Sequence, residues 1–484
     1  MSSSPALPGS SARGRAQSQL GRFAGQWTRV ALTWLPFADA ASVELPLSRL
    51  LRLALFQVSV GMATVLLNGT LNRVMIVELK TPAWLVSMLI ALPLLFAPLR
   101  ALIGHKSDTH RSVLGWRRVP YIWFGTLMQW GGLAIMPFAL LLMSKEPTFY
   151  AGLAGGMAAF LLTGAGLHVT QTAGLALATD LARPDKRPRA VALLYVMLLV
   201  GMMVSAFIIG GLLTNFTPTH LVQVIQGAAL VTVVLNVCAL WKQEGRNRAV
   251  TAPERETPAF ADVWREFVAE PNTVRLLTAI GLGAAAFAMQ DALLEPYGAE
   301  MLGLTVGSTT MLTGSWAFGA ILGFSLSTRV LERGLHPLRL AGFGLVAGVC
   351  AFMLVLLAAP LAAPALLAAG AGSIGFGIGL FSVGTLIAAM SLSERGDSGV
   401  ALGAWGAVQA TAAGSALALG GIIRDTVALL SGPGGRAAGY ATVYSLEILM
   451  MFAALIVLGP LAGKRIDIAG GLPGGQMALP EFPT

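Results

Sequence analysis

The sequence predicts an all-α, polytopic membrane protein of twelve transmembrane helices in two related six-helix halves, and three observations predict it. Charged residues make up 11% of the 484 residues and hydrophobic residues 55%, against roughly 25% charge in an ordinary soluble domain. Apolar runs of roughly 20 residues, enough to cross a hydrocarbon core of about 30 Å, recur along nearly the whole chain. The alternation of runs and charged breaks in residues 49–241 returns in residues 273–463. In lipid the backbone must satisfy its own hydrogen bonds, and runs this long and uniformly apolar suit helices, not the short alternating strands of a barrel.

Taken in order, residues 1–48 form a tail, rich in Ser, Arg, Gly and Gln over its first 30 or so residues. No short apolar stretch with a small-residue cleavage site follows its first charges, so it reads as a disordered cytoplasmic tail and not as a cleaved signal. The first half, 49–241, holds spans at roughly 50–75, 83–103, 120–143, 150–180, 190–213 and 220–241. A polar linker, 242–272, follows, with an amphipathic surface helix expected near Asp262 to Ala269. The second half, 273–463, holds spans at roughly 273–296, 306–328, 338–360, 364–391, 400–423 and 440–462. Residues 464–484 form a second cytoplasmic tail.

Of the 32 Lys and Arg, only Arg73, Lys80, Lys145, Arg424 and Arg436 fall on the side opposite the termini. The positive-inside rule therefore places both termini on the cytoplasmic side of an inner membrane. Basic loops facing anionic lipid account for the net charge of +9, so no nucleic-acid partner is needed.

Between the second and third spans stand Gly104, Asp108, Arg111, Gly115, Arg117 and Arg118. This pattern resembles the Gly, Asp and Arg-Arg loop of the major facilitator superfamily, lengthened by several residues. An acid at a helix end paired with loop arginines latches two helices in one state; alternatively Arg117 and Arg118 anchor the loop to lipid headgroups. The second half keeps basic residues at Arg329 and Arg333 but lacks the acid, as a degenerate duplicate would.

Polar groups at membrane depth are costly and mark sites until a structural partner is found. Asn68 and Asn72 share a helix face ahead of Arg73; they line a cavity, or they bond a neighbouring helix while Arg73 snorkels outward. Gln290, Asp291, Glu295 and Tyr297 close the seventh span, with Pro296 ending or kinking it. Asp291 and Glu295, one turn apart, suit proton coupling, a magnesium or amine ligand, a latch to Arg73 or Arg424, or simple hydration among headgroups. His168, with Gln171 and Thr172 one turn on, offers an imidazole suited to a pigment's magnesium or to packing. Glu447 is a further intramembrane acid, and Arg424 with Asp425 reads as a surface pair.

Enzyme chemistry finds no footing here: phosphate-cradling Gly-Lys-Ser loops, nucleophile elbows, zinc-protease motifs and paired cysteines are missing from the sequence. Cys238 and Cys350 lie singly inside apolar runs and read as small core hydrophobes.

The strings LPFADAA at 35–41, LLRL at 50–53, NGTLNRVMIVEL at 68–79, SDTHRS at 107–112, GWRRVPY at 115–121 and MQDALLEPYG at 289–298 are similar to those of the PucC/LhaA family, and the likeness spans residues 35–466. The resemblance implies a non-enzymatic assembly protein for a light-harvesting complex, a bacteriochlorophyll-delivery branch of the major facilitator superfamily. It implies bacteriochlorophyll as cargo or ligand. Its implied partners are antenna polypeptides, the reaction-centre core complex and pigment-synthesis enzymes, all within the lipid. The N-terminal strings lean toward the LhaA branch, which serves the core antenna LH1. Two other classes stay open: a proton-coupled small-solute transporter of the same superfamily, and an enzyme of pigment synthesis.

Overall fold

The computed structural model describes residues 41–42, 45–95, 116, 118–183, 186–244, 272–391 and 398–463, and these are helices joined by short turns. The amphipathic helix expected near Asp262 lies outside the described residues. The helices are α1 (Leu47–Glu78), α2 (Ala83–Leu95), α3 (Val119–Met143), α4 (Phe149–Leu181), α5 (Arg187–Leu212), α6 (Pro218–Leu240) and α7 (Thr273–Ala288). They continue as α8 (Leu294–Leu302), α9 (Val306–Glu332), α10 (Pro337–Ala358), α11 (Pro364–Ser391), α12 (Ser398–Leu430) and α13 (Gly435–Ala462). Among the described residues, ten stretches are long and apolar enough to cross a membrane. The apolar α2 and the more polar α9 occupy the second and eighth places of the twelve-span reading.

Local chemistry sets where these helices start. Proline fills an early position, where no intrahelical donor is required, in α3, α5, α6 and α10. Thr217 accepts from the His220 amide at 3.1 Å and Thr305 from the Ser308 amide at 3.3 Å, capping α6 and α9. The seventh span departs from the sequence reading. It is not one helix to 296 but α7, a 3-10 turn over Met289–Ala292, and α8. Pro296 has no N–H for the Ala292 carbonyl and would clash with it, so the α ladder breaks upstream, leaving Pro296 in the first turn of α8.

Helix pairing repeats between the halves. α3 packs on α4 as α10 does on α11; α1 meets α5 and α6 as α7 meets α12 and α13; α3 meets α6 as α10 meets α13. The halves join along α5 with α9 and α2 with α12. Arg49, Arg118, Arg183, Arg275, Arg329 and Arg339 stand at one end of the bundle, called here the basic end.

Cys238 and Cys350 are exposed, on the outward faces of α6 and α10, which corrects the core reading. Outward faces are largely apolar, as Trp123, Phe124, Trp130 and Phe138 along α3 illustrate.

Where α9 crosses α11, backbones touch. A Cβ at Gly375 would stand 1.9 Å from the Trp316 carbonyl oxygen. Gly375→Ala is expected to lower thermal stability in detergent by about 1–3 kcal/mol through overpacking. Gly131→Ala, with nothing within 4 Å, is the control that should melt like the parent.

Candidate functional site

The site begins with an anomaly in α1. After an ordinary start, the helix is wound as a π-helix over Val65–Leu71 and again over Val74–Glu78, a rare geometry frequent at functional positions. These wide turns set Thr70, Asn72 and Arg73 against the C-terminal half.

Asn72 Nδ2 donates to Glu295 Oε2 at 2.9 Å, and Thr313 Oγ1 donates to Glu295 Oε1 at 2.7 Å. Thr70 and Thr310 hydroxyls meet at 3.1 Å. Arg73 is ion-paired with Glu78, and its Nη2 donates to the Leu304 carbonyl at 3.3 Å. Asn72 and Glu295 are buried, and Arg73 is only 6% exposed. Two helices of one half, α8 and α9, and one of the other, α1, are thus tied through hydrogen bonds inside an apolar surround, where such bonds hold most strongly.

Asp291 lies in the turn between α7 and α8, partly buried, accepting from Gln290 Nε2 on its side chain and from Asn72 Nδ2 at 3.5 Å on its carbonyl. It stays within electrostatic reach of Glu295. Tyr297 is used in packing instead: its hydroxyl donates to the Val355 carbonyl at 2.9 Å, and its ring stands edge-on to Tyr440 and Tyr444. Asn68 is half-buried and makes no side-chain hydrogen bond among the described residues. His168 and Gln171 are on α4, away from this seam; Gln171 Nε2 donates to Gln57 on the early part of α1 at 3.4 Å. Among the described residues no group of three His, Cys, Asp or Glu side chains is placed to hold a metal ion.

Close by, Arg424 corrects another expectation. It is not a surface residue but 7% exposed, ion-paired with Glu300 and Asp425 and stacked 4.7 Å from the centre of the Tyr440 ring. Asp425 Oδ2 in turn accepts from the Trp84 amide at 2.9 Å, capping the start of α2 from the other half. A cleft of about 710 Å³ opens beside this pair, lined by Pro82, Trp84, Met301 and Arg436 among others. We call this the latched end, opposite the basic end.

Gly104, Asp108, Arg111, Gly115 and Arg117 lie outside the described residues. Arg118 is buried and ion-paired at 3.0 Å with Asp180 at the end of α4. The Glu244 carboxylate accepts from the amides of Arg118 and Val119, at 3.1 and 2.9 Å. Arg118 therefore ties α3 to α4 within one half.

Thr310, Thr313, Glu300, Tyr440 and the Ser59, Thr126 and Asn236 cluster, with Asn236 Nδ2 donating to Thr126 at 2.9 Å, were not singled out from sequence. The one available signal was polarity: α9 is the least apolar long helix and Asn236 is the fully buried amide of α6.

A protein of Rhodobacter capsulatus described as an uncharacterized protein in the puhA-bchM intergenic region is 52% identical over 468 residues, 94% of this chain and 98% of its own. Protein PucC of Rhodovulum sulfidophilum is 54% identical over 402 residues, 81% of this chain and 88% of its own. The crystal structure of a bacterial homologue of the iron transporter ferroportin in an inward-facing state aligns with a TM-score of 0.65 at 13% identity, covering 87% of this chain and 100% of that one. A likeness of that kind shows the fold alone, which is that of the major facilitator superfamily. The PUCC protein family profile matches residues 70–466, so by this match and by identity over most of its length the chain belongs to the PucC family.

Proposed function

We propose that this protein is an assembly factor for a bacterial light-harvesting antenna, LH1, which handles or delivers bacteriochlorophyll to newly inserted antenna polypeptides. The observation that carries the reading is 52% identity along nearly the full length of both chains to the puhA-bchM intergenic protein, together with the family strings that include Asn72 and Glu295. The geometry supports it: the halves are tied at one end, and the outward faces are apolar, as lateral exchange with a cargo confined to lipid requires. The basic end and both termini face the cytoplasm of the inner membrane. Antenna polypeptides, the reaction-centre core complex and pigment-synthesis enzymes are its partners there.

The test is an absorption spectrum of the tagged protein, purified in mild detergent from a host that makes bacteriochlorophyll but lacks antenna polypeptides. Stoichiometric pigment is expected, reduced in His168→Ala or Asp291→Asn. A colourless, folded protein would sink pigment carriage. Deleting the gene is expected to deplete assembled antenna with pigment synthesis intact, and normal antenna levels would overturn the assembly role itself.

A further inference from the structure

Three carboxyl groups gather where α7, α8 and α13 meet, and none of them is ion-paired among the described residues. Glu447, midway along α13, is completely buried, and neither carboxyl oxygen has a hydrogen-bond partner. The Gln290 backbone amide and Asp291 are its neighbours on the turn, without reaching hydrogen-bond geometry. Tyr444, one turn before Glu447 on the same face of α13, has a buried hydroxyl that is also unpartnered. So is Oε1 of Gln290, a residue 2% exposed. Glu295, 4% exposed, completes the group and reaches across the seam to Asn72.

The surroundings supply no counter-charge. From α8 come Glu295 and Tyr297, from α13 Tyr440 and Tyr444, from α9 Thr313, and from α1 Asn72; the buried Arg73 beside Asn72 is engaged with Glu78 and the Leu304 carbonyl. The charged residues of α12, Arg424 and Asp425, are engaged with Glu300 and Trp84 at the latched end. Arg339 of α10 stands at the basic end, and α11 carries no charged residue. The cluster is therefore rich in acceptors and poor in donors. An uncompensated carboxylate buried in protein costs several kcal/mol, and lipid around the protein gives no relief. What the arrangement lacks is one positive charge. The three carboxyls are neighbours but are not placed as common ligands of one metal ion, so a divalent ion held by several carboxylates does not fit; one carboxylate with the unpartnered neutral oxygens of Gln290 and Tyr444 suits a monovalent cation.

We propose that the space among Gln290, Asp291, Tyr444 and Glu447 binds one monovalent cation, a proton or a sodium ion, and that its occupancy controls closure of the seam through Glu295 and Asn72. A bound cation offsets the repulsion between Asp291 and Glu295, and Glu295 then keeps both of its donors, Asn72 and Thr313. With the site empty, like charges crowd the turn between α7 and α8, and the hydrogen bond across the halves loosens. This site does not depend on the pigment reading, and its test does not involve pigment.

The full chain, with Cys238 and Cys350 replaced by alanine, carries spin labels at Leu212→Cys on α5 and Leu429→Cys on α12. Both positions are exposed at the latched end of opposite halves. Pulsed electron paramagnetic resonance in lipid nanodiscs then reads their separation in a pH series without sodium, and in a sodium series at fixed pH with choline holding ionic strength constant. The separation is expected to shorten and narrow as the cation fills the site. A response to pH alone assigns the proton, and a response to sodium at fixed pH assigns the metal ion. Glu447→Gln is expected to lose the response to both, together with the carboxyl band in the infrared difference spectrum of the responding series. A separation unmoved in both series, or a Glu447→Gln protein that titrates like its parent, overturns the proposal; the first of these needs no variant of the acid cluster to fold.

Discussion

Arg424→Ala is expected to destabilise the folded bundle by about 3 kcal/mol, the cost typical of stripping one partner from a buried ion pair. The guanidinium holds Glu300 on α8 and Asp425 on its own helix, both largely shielded, and covers the Tyr440 ring. Without it, two carboxylates remain in an apolar setting, and the one that caps α2 loses its anchor. Thermal unfolding in detergent should show a large drop in midpoint for Arg424→Ala. Arg436, 71% exposed and 4.0 Å from Glu300, is a solvated partner whose alanine variant should stay within roughly 0.5 kcal/mol of the parent. Neutralising the carboxylates alongside the arginine, as in Arg424→Leu with Glu300→Gln and Asp425→Asn, should recover most of the loss. Equal midpoints for Arg424→Ala and Arg436→Ala would refute the burial argument.

The second large effect is expected at Asn72. Leucine there removes the donor to Glu295, a hydrogen bond to a carboxylate worth about 2 kcal/mol, and with it one of the ties across the halves. Cysteines at Thr70 and Thr310, whose hydroxyls are 3.1 Å apart, report closure by their rate of disulfide formation. Adding Asn72→Leu should slow that rate roughly 25-fold, as about 2 kcal/mol converts to a population ratio. Asn68→Leu, one turn earlier and without a hydrogen bond, should leave it nearly unchanged. A similar effect from both asparagines would mean that the seam is held by something other than this bond.

The helices were legible because lipid permits little else, and the same constraint made Asn72, Arg73, Asp291 and Glu295 conspicuous. Their partners were hidden for physical reasons. The π-wound stretch Val65–Leu71 is composed of ordinary apolar residues with one Asn, one Gly and one Thr, so nothing in its composition announces the wider turn. Arg424 ends an apolar run, and such an arginine looks the same whether it meets headgroups or a carboxylate on α8. Cys238 and Cys350 failed for a third reason. Lipid tails are as apolar as a leucine core, so hydrophobicity cannot separate outward from inward faces in a membrane helix as it does in water. The break in α7 was half visible in Pro296, whose effect falls one turn earlier than the proline itself.

The ties described between the halves, from Thr70, Asn72, Arg73 and Trp84, gather at one end of the bundle. Two rods pinned together at one end form a lever, and a lever trades angle for distance. A rotation of about 10° at the pins, acting across roughly 30 Å of hydrocarbon, moves the far tips by roughly 5 Å. Side chains near the fulcrum need shift only by fractions of that distance. Small changes in four or five contacts there are magnified into an opening as wide as the backbone of a helix at the other end.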